Sequence, residues 1–356
     1  MYLKYFGLKE HPFQITPDSE FLFMSKGHAR AKACMDYTIR NRDGFVVITG
    51  EVGCGKTTLI RKLLSEFDES ILVAKIFQTQ LNETEFLQAV LVEFGLNPFG
   101  GAAKVELMDM LTTFLIESFM QSKQLVLIVD EAQNLGPRVL EEIRLLSGLE
   151  TDKQKILHVI IVGQPELNEI LDRPEMEQLL QRVRLRFHLK ALNQTETAGY
   201  VAHRLRVAGA RDGELFLPET AGIIYEYTGG VPRLVNTLCD TALTCAFADD
   251  LWQVSGAVIR TAIEELQWMP YIERIVNKGK SKMREERLPA DRGDRRVKDA
   301  ELTEHMRNIE ELLRNIAGLL QRRNHISVRL GRHQLIELAK QLGIGVNSKI
   351  GSQLNP

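Results

Sequence analysis

Eight consecutive residues, Gly50-Glu51-Val52-Gly53-Cys54-Gly55-Lys56-Thr57, carry the strongest chemical signal in the 356-residue chain. They match G-x-x-x-x-G-K-[ST], and they lie directly after an apolar run and before the helical stretch Thr58 to Phe67. Glycines in such a loop let the backbone wrap a phosphate closely, while loop N–H groups and a helix N-terminus supply partial positive charge. Lys56 is then placed to reach the outer phosphates, Thr57 to ligate Mg²⁺, and Thr58 to extend the phosphate-binding surface into the helix. A second constellation follows about 75 residues on, where Leu125-Val126-Leu127-Ile128-Val129 ends in Asp130-Glu131. An acid that finishes a buried strand can hold the metal shell, here Asp130. The next acid, Glu131, can polarise an attacking water, and phosphoryl transfer depends on such placement of charge.

The elements that must position these groups read as a parallel sheet flanked by helices. Apolar strand-like runs alternate with longer helical patterns between residues 44 and 190: Phe45 to Thr49, Ile71 to Phe77, Leu125 to Val129, Leu157 to Val162 and Arg184 to Leu189. Apolar character on both faces predicts central strands covered twice. From Gln194 to about Met269 the pattern is helical, with breaks at Gly229-Gly230-Val231-Pro232 and Asp249-Asp250. Past Pro270, residues 273 to 299 carry ten basic and six acidic side chains and few large apolar ones, the composition of a solvated linker. Leu302, Met306, Ile309, Leu313, Ile316 and Leu320 then recur at spacings of four and three, one apolar seam along a helix.

Composition bounds the chemistry further. Apolar residues make up 44% of the chain, enough to build cores, and 45 basic against 47 acidic side chains leave a formal charge of -2. That balance hides an acidic body, net -9 over residues 1 to 271, and a basic tail, net +7 over residues 272 to 356. Cys34, Cys54, Cys239 and Cys245 stand at no zinc-like or thioredoxin-like spacing. With no leader-like start and no apolar window of about 18 residues, the expectation is a cytoplasmic protein, held at the inner membrane, if at all, only through partners.

Taken together, the phosphate loop, the Asp-Glu strand end, a further strand ending in a polar residue, and a helical region with Gly230-Val231-Pro232-Arg233 resemble the AAA+ ATPases. More narrowly, several runs resemble the general-secretion-pathway A (ExeA-like) ATPases over Met1 to about Met269. These are Tyr5-Phe6-Gly7-Leu8, Pro12-Phe13, Pro17-Asp18, Asp130-Glu131-Ala132-Gln133-Asn134-Leu135, Leu140-Glu141-Glu142-Ile143-Arg144-Leu145-Leu146 and Gly163-Gln164-Pro165-Glu166-Leu167. The resemblance implies an α/β P-loop AAA+ core over residues 1–192, a helical lid over 193–270, a charged linker over 271–300 and an amphipathic, coiled-coil-like helical tail over 301–356. It implies ATP and Mg²⁺ as cofactors and ATP hydrolysis as the activity. Gln164 matches the polar sensor that contacts the γ-phosphate or the lytic water. Arg182 matches the arginine that reaches into a neighbouring subunit's site, with Arg184 and Arg186 crowding that assignment, and Arg233 matches the lid sensor arginine. Phe13 and Pro17 would border the adenine pocket. The implied partners are other copies of the chain, in a ring such as a hexamer or in a filament, and proteins of an envelope export system.

Better-known family members carry a membrane span and a peptidoglycan-binding domain after the ATPase. Here the basic linker and the amphipathic helix follow, which look more like the shorter ATPases of exosortase and exopolysaccharide-export systems. Transposition regulators that bind DNA as ATP-dependent filaments share the core, and the basic tail keeps DNA as a competing partner. A basic surface also suits anionic lipid headgroups or acidic proteins. Removal of the tail after Met269 is expected to preserve ATP binding and to weaken assembly or partner recruitment. A salt titration of duplex DNA binding on full-length and shortened protein separates the readings. Steep salt dependence, strengthened by ATP and lost on truncation, marks the DNA switch, whereas the export reading expects no DNA binding at physiological ionic strength.

Overall fold

A computed structural model describes residues 2–277, apart from 42–43, 78, 99–100, 152–153 and 211–214. Most of the linker and the whole helical tail, including the seam from Leu302 to Leu320, lie outside the described residues. Five strands, β1 (Phe45–Gly50), β2 (Ile71–Ile76), β3 (Gln124–Val129), β4 (Leu157–Gly163) and β5 (Leu185–Leu189), form one sheet in the order β2-β3-β4-β1-β5. Every neighbouring pair is parallel. The expected α/β parallel-sheet core is therefore present. β1 and β4 are buried at every residue, as a twice-covered strand should be. β2 and β5 depart from that expectation: they are the sheet's edges, and β5 alternates between exposed and sheltered positions along Leu185-Arg186-Phe187-His188-Leu189. The alternation of charged and apolar residues in β5 is the sequence sign of an edge.

The two sides of the sheet bury different residues of the same strands. Phe45, Val47, Leu125, Leu127, Val129, Val159 and Ile161 share one core with side chains of α4 (Glu83–Glu93), α5 (Lys104–Met120) and α6 (Pro137–Leu146). Val46, Ile48, Val126, Ile128, Ile160 and Val162 pack on the other side with α2 (Lys26–Arg40) and α3 (Lys56–Leu64). This period of two follows from strand geometry. Two short helices, α7 (Glu166–Leu171) and α8 (Glu177–Leu180), complete the first side.

Beyond β5 the chain is helical, with α9 (Gln194–Val207), α10 (Thr220–Thr228), α11 (Pro232–Ala248) and α12 (Gly256–Glu265). Asn193 and Glu196 form a capping box that starts α9, Gly229 ends α10 in a left-handed conformation at φ 58°, and Pro232 opens α11 at a position where a missing N–H costs nothing. Gly230 is required by contact as well as by its φ of 71°, because a Cβ there would lie 1.9 Å from the Leu192 carbonyl oxygen. Residues 271–277 form a further helical stretch that packs back on this bundle. Arg274 donates to the Tyr227 carbonyl, and its guanidinium lies 4.5 Å from the Trp268 ring centre. A truncation meant to spare the bundle therefore has to end after Asn277 rather than after Met269.

The N-terminal segment, which includes the short α1 (Tyr2–Tyr5), packs with these helices. Tyr2, Phe6, Leu8, Phe13 and Phe21 share a core with Tyr200, Leu205, Leu238 and Leu243. Arg204 is the main polar tie. Only 7% exposed, it donates to the Pro12 carbonyl, to the Tyr200 hydroxyl at 3.1 Å and to the Gln14 carbonyl at 3.3 Å, with its guanidinium 4.7 Å from the Phe21 ring centre. Asn236 accepts from Tyr200 at 2.7 Å and donates to Gln14 at 3.1 Å. Arg204→Met is expected to destabilise the fold by about 2–4 kcal/mol, since the buried Pro12 carbonyl loses its charged donor and the Gln14 carbonyl and Tyr200 hydroxyl each lose one partner. Chemical denaturation measures that loss, and proteolysis should then cut first near residues 12–20.

Candidate nucleotide site

Three strands end side by side, and the chemistry-bearing residues follow those ends. Thr49 of β1 pairs with Gly163 of β4, and Val129 of β3 pairs with Ile161 of β4. The phosphate-type loop, Asp130 and Gln164 therefore emerge along the carboxyl edge of the sheet, where ligands of open α/β sheets bind. Gly53 and Gly55 hold φ of 81° and 90°, a region that costs other residues energy. Space also demands glycine: a Cβ on Gly50 would sit 2.6 Å from the Leu189 carbonyl oxygen, and one on Gly53 would sit 2.6 Å from Arg233 Cβ.

Lys56 starts α3 and is buried, its ammonium donating to the Gly50 carbonyl at 2.7 Å and the Glu51 carbonyl at 3.1 Å. The loop thus curls around its own lysine. Thr57 donates its hydroxyl to Asp130 Oδ2 at 2.7 Å, joining residues 73 apart in sequence, and the Glu131 N–H donates to Asp130 Oδ1 at 2.9 Å. Asp130 is 2% exposed, and burial holds its carboxyl above the usual carboxylate range against those two donors. A buried carboxylate beside a hydroxyl is a hard-oxygen pair of the kind Mg²⁺ accepts, with its remaining ligands drawn from phosphate and water. Glu131 sits at φ 53° with its carbonyl accepting from the Thr79 hydroxyl at 3.1 Å. Its Oε2 accepts from Gln133 at 2.6 Å and from Gln164 at 3.0 Å. Burial pushes the Glu131 carboxyl up, yet those donors and the Lys56 charge outweigh it and leave the group below its ordinary value.

A cleft of about 460 Å³ opens over this edge. Val52, Gly53, Gly55, Lys56, Thr57, Thr58 and Glu131 line its floor, and Gln14 to Asp18, Tyr200, Arg204, Arg233 and Asn236 line its other walls. Pro17 borders the cleft, and Arg61 donates to its carbonyl at 2.6 Å. Phe13 belongs instead to the helical core, its ring 5.8 Å from that of Phe216. Arg233 reaches the cleft from the first turn of α11, and its N–H donates to the Gly53 carbonyl at 3.2 Å. Arg182 is not among these residues. It donates to the Arg144 carbonyl at 2.9 Å and to the Ser147 hydroxyl at 3.4 Å, at the end of α6. Arg186 pairs with Asp172 at 2.8 Å on the exposed edge. Burial drives the Cys54 thiol up to about 11, so this loop cysteine stays protonated and offers only its backbone to a ligand.

Two supports had no readable signal in the sequence. His28 is buried on α2, where Ser25 lies 2.7 Å from Nδ1 and the Cys54 carbonyl lies 3.0 Å from Nε2. A carbonyl only accepts, so Nε2 carries the proton. Burial pushes the imidazole below its ordinary value, which keeps a neutral ring against the loop. Gln133 is the other, and it sits inside the Asp-Glu-Ala-Gln run without any pattern that marks its amide as a ligand.

A protein-family model described as an AAA domain matches residues 39–171. Over 249 residues the chain is 42% identical to general secretion pathway protein A of Aeromonas hydrophila, which covers 70% of this chain and 45% of that protein. The chain belongs to the general-secretion-pathway A type of AAA+ ATPases. It spans about half the length of this curated relative. Among solved structures, Cdc6p of Pyrobaculum aerophilum aligns with a TM-score of 0.55 at 20% identity over 70% of each chain. The Aeropyrum pernix ORC2 protein, solved as ADPNP and ADP complexes, aligns at 0.54 and 17% identity over 70% of this chain and 72% of its own. At such identities these two likenesses bear on the fold, and they place the sheet and its phosphate-type loop among AAA+ architectures.

Within this AAA+ site the contacts divide into two kinds. Lys56 and Thr57 belong to the loop and the helix start, bonded to loop carbonyls and to Asp130, whereas Glu131 is held by the Gln133 and Gln164 amides. Lys56→Ala is expected to abolish nucleotide affinity. Glu131→Gln should keep affinity and lower turnover by about 10²- to 10⁴-fold. Fluorescent-nucleotide titration together with phosphate-release kinetics on both variants checks this, and equal loss of binding in the two would contradict it.

Proposed function

We propose that the protein binds ATP with Mg²⁺ in the cleft and hydrolyses it as a homo-oligomer, in a ring or filament, coupling turnover to the assembly or regulation of an envelope secretion or exopolysaccharide-export system. The observation that carries this reading is the meeting of Lys56, Thr57, Asp130, Glu131 and Gln164 at one sheet edge. Residues 50–58 cradle the phosphates through backbone N–H groups and Lys56. Thr57 and Asp130 hold the metal, which when bound supplies positive charge to the phosphate oxygens. Glu131 accepts a proton from the attacking water, and Gln164 orients that water or the γ-phosphate. Residues 193–270, with the N-terminal segment packed into their core, act as the lid that brings Arg233 to the phosphates, closing on the sheet and its flanking helices.

The export assignment draws on the secretion-pathway relative, and the basic linker and amphipathic tail are the features that would reach its partners. Among the described residues no helix is long and apolar enough to cross a membrane, and the proposed location is the cytoplasm, with recruitment to the inner membrane through partners.

Arg182 is proposed to complete a neighbour's site, since its own-chain contacts lie at the end of α6 and not in the cleft. Activity then depends on subunit contact. Dilution should lower turnover per subunit, and Arg182→Ala should behave like the diluted protein, with a loss of about 10³-fold. Mixing Arg182→Ala with Glu131→Gln subunits should restore part of the rate, because some interfaces pair an intact arginine with an intact acid. Normal hydrolysis by Arg182→Ala at every concentration would move the role to Arg184 or to no arginine.

A further inference from the structure

Gln133 closes a ring of three hydrogen bonds around the proposed catalytic acid. Its Nε2 donates to Glu131 Oε2 at 2.6 Å, its Oε1 accepts from the Gln164 backbone N–H at 2.9 Å, and the Gln164 side chain donates to the same Glu131 oxygen at 3.0 Å. The amide orientation is dictated by chemistry: turned over, Gln133 would set an NH₂ against a backbone donor and an oxygen against a carboxylate. Room for the ring is built into β4. A Cβ on Gly163 would lie 3.0 Å from Gln133 Oε1 and 2.8 Å from Leu167 Cδ2, so a side chain there would push the amide off the strand end. Glu131 is fixed from below as well, by its left-handed φ and by the Thr79 hydroxyl on its carbonyl.

We propose that Gln133 is a positioning residue that ties the Glu131 carboxylate to the end of β4, so that the water-activating acid and the Gln164 amide move as one unit. This rests on the hydrolytic reading of the cleft. Both amides converge on Oε2, which leaves Oε1 outside the ring and directed by it. Any displacement of Gln164 is carried to Glu131 along two paths, one direct and one through Gln133. A motion of the sensor strand end therefore re-aims the acid without either residue losing its partner.

Two substitutions take the ring apart in different ways. Gln133→Met keeps volume and removes both bonds. Gln133→Glu keeps an acceptor for the Gln164 N–H and sets a carboxylate against Glu131. Both should lower kcat by roughly 10- to 100-fold while KM and Kd for ATP stay within about 2-fold, the signature of misplacement and not of lost binding. In a Glu131→Gln background Gln133→Met should add almost no further loss, because the residue acts through that acid. Hydrogen exchange at the Gln164 backbone N–H, followed without nucleotide, should quicken in Gln133→Met and remain slow in Gln133→Glu. Wild-type kcat in Gln133→Met, ATP affinity lost together with turnover, or full additivity with Glu131→Gln would each overturn the proposal. If the wild-type protein itself fails to hydrolyse ATP, the hydrolytic reading falls. The exchange measurement then still tells whether Gln133 holds the strand end, since unchanged protection in Gln133→Met would refute the bridge.

Discussion

A carboxylate buried at the end of a buried strand is the constraint around which this molecule is arranged. Asp130 is 2% exposed, and nothing in β3 itself can compensate its charge. Compensation comes from a hydroxyl 73 residues away in sequence, at the start of α3, and from the next backbone N–H. The Thr57 contact exists only because β1 and β3 both flank β4, which sets their carboxyl ends at one level of the sheet. Strand order, loop curvature and helix start all converge on that one bond. Burial also raises the carboxyl's proton affinity, so the site gains from any cation that neutralises it, which is the electrostatic condition for holding a metal with few protein ligands.

The helical part meets this edge through the N-terminal segment as much as through its own helices. Residues 14–18 run along one wall of the cleft, tied to the bundle by Arg204 and Asn236 and to α3 by Arg61. The buried Pro12 carbonyl takes its donor from Arg204 and the Gln14 carbonyl is shared between Arg204 and Asn236, since a guanidinium can serve several acceptors from one fixed plane. The wall is therefore braced from two sides by arginines acting on backbone.

Much of this was readable in advance, for definite reasons. The five strands stood out because apolar runs bounded by turn residues are a local signal, and the phosphate loop because its glycines and lysine must occupy fixed spacings. The edge character of β2 left no local sign, since it contains enough apolar residues to pass for a central strand and only pairing reveals that it lacks a neighbour, whereas β5 shows its edge in the alternation of charged and apolar residues. Arg204 left no trace, because its acceptors are backbone carbonyls about 190 residues earlier, and backbone groups have no sequence identity. His28 and Gln133 were invisible for a related reason. A polar residue on a helix or in a turn looks the same whether it faces water or a loop carbonyl. Phe13 was read toward the base pocket but lies in the helical core, where an aromatic ring buries more apolar surface.

Two glycines decide how closely the bundle can approach the phosphate loop. Gly230 lets the chain pass the Leu192 carbonyl, and Gly53 lets the start of α11 come within bonding distance, so that the Arg233 N–H reaches the Gly53 carbonyl at 3.2 Å. This is a bond between backbones, and no rotamer change can release it. The loop that would hold phosphate and the helix that carries Arg233 are consequently coupled at their peptide planes. A turn of the Gly53 peptide on ligand binding has to be met by movement of α11 or by loss of that bond. The side chain of Arg233 can still search the cleft, but its origin is fixed to the loop. The helices beyond β5 are thus tied to the loop through backbone as well as through side chains.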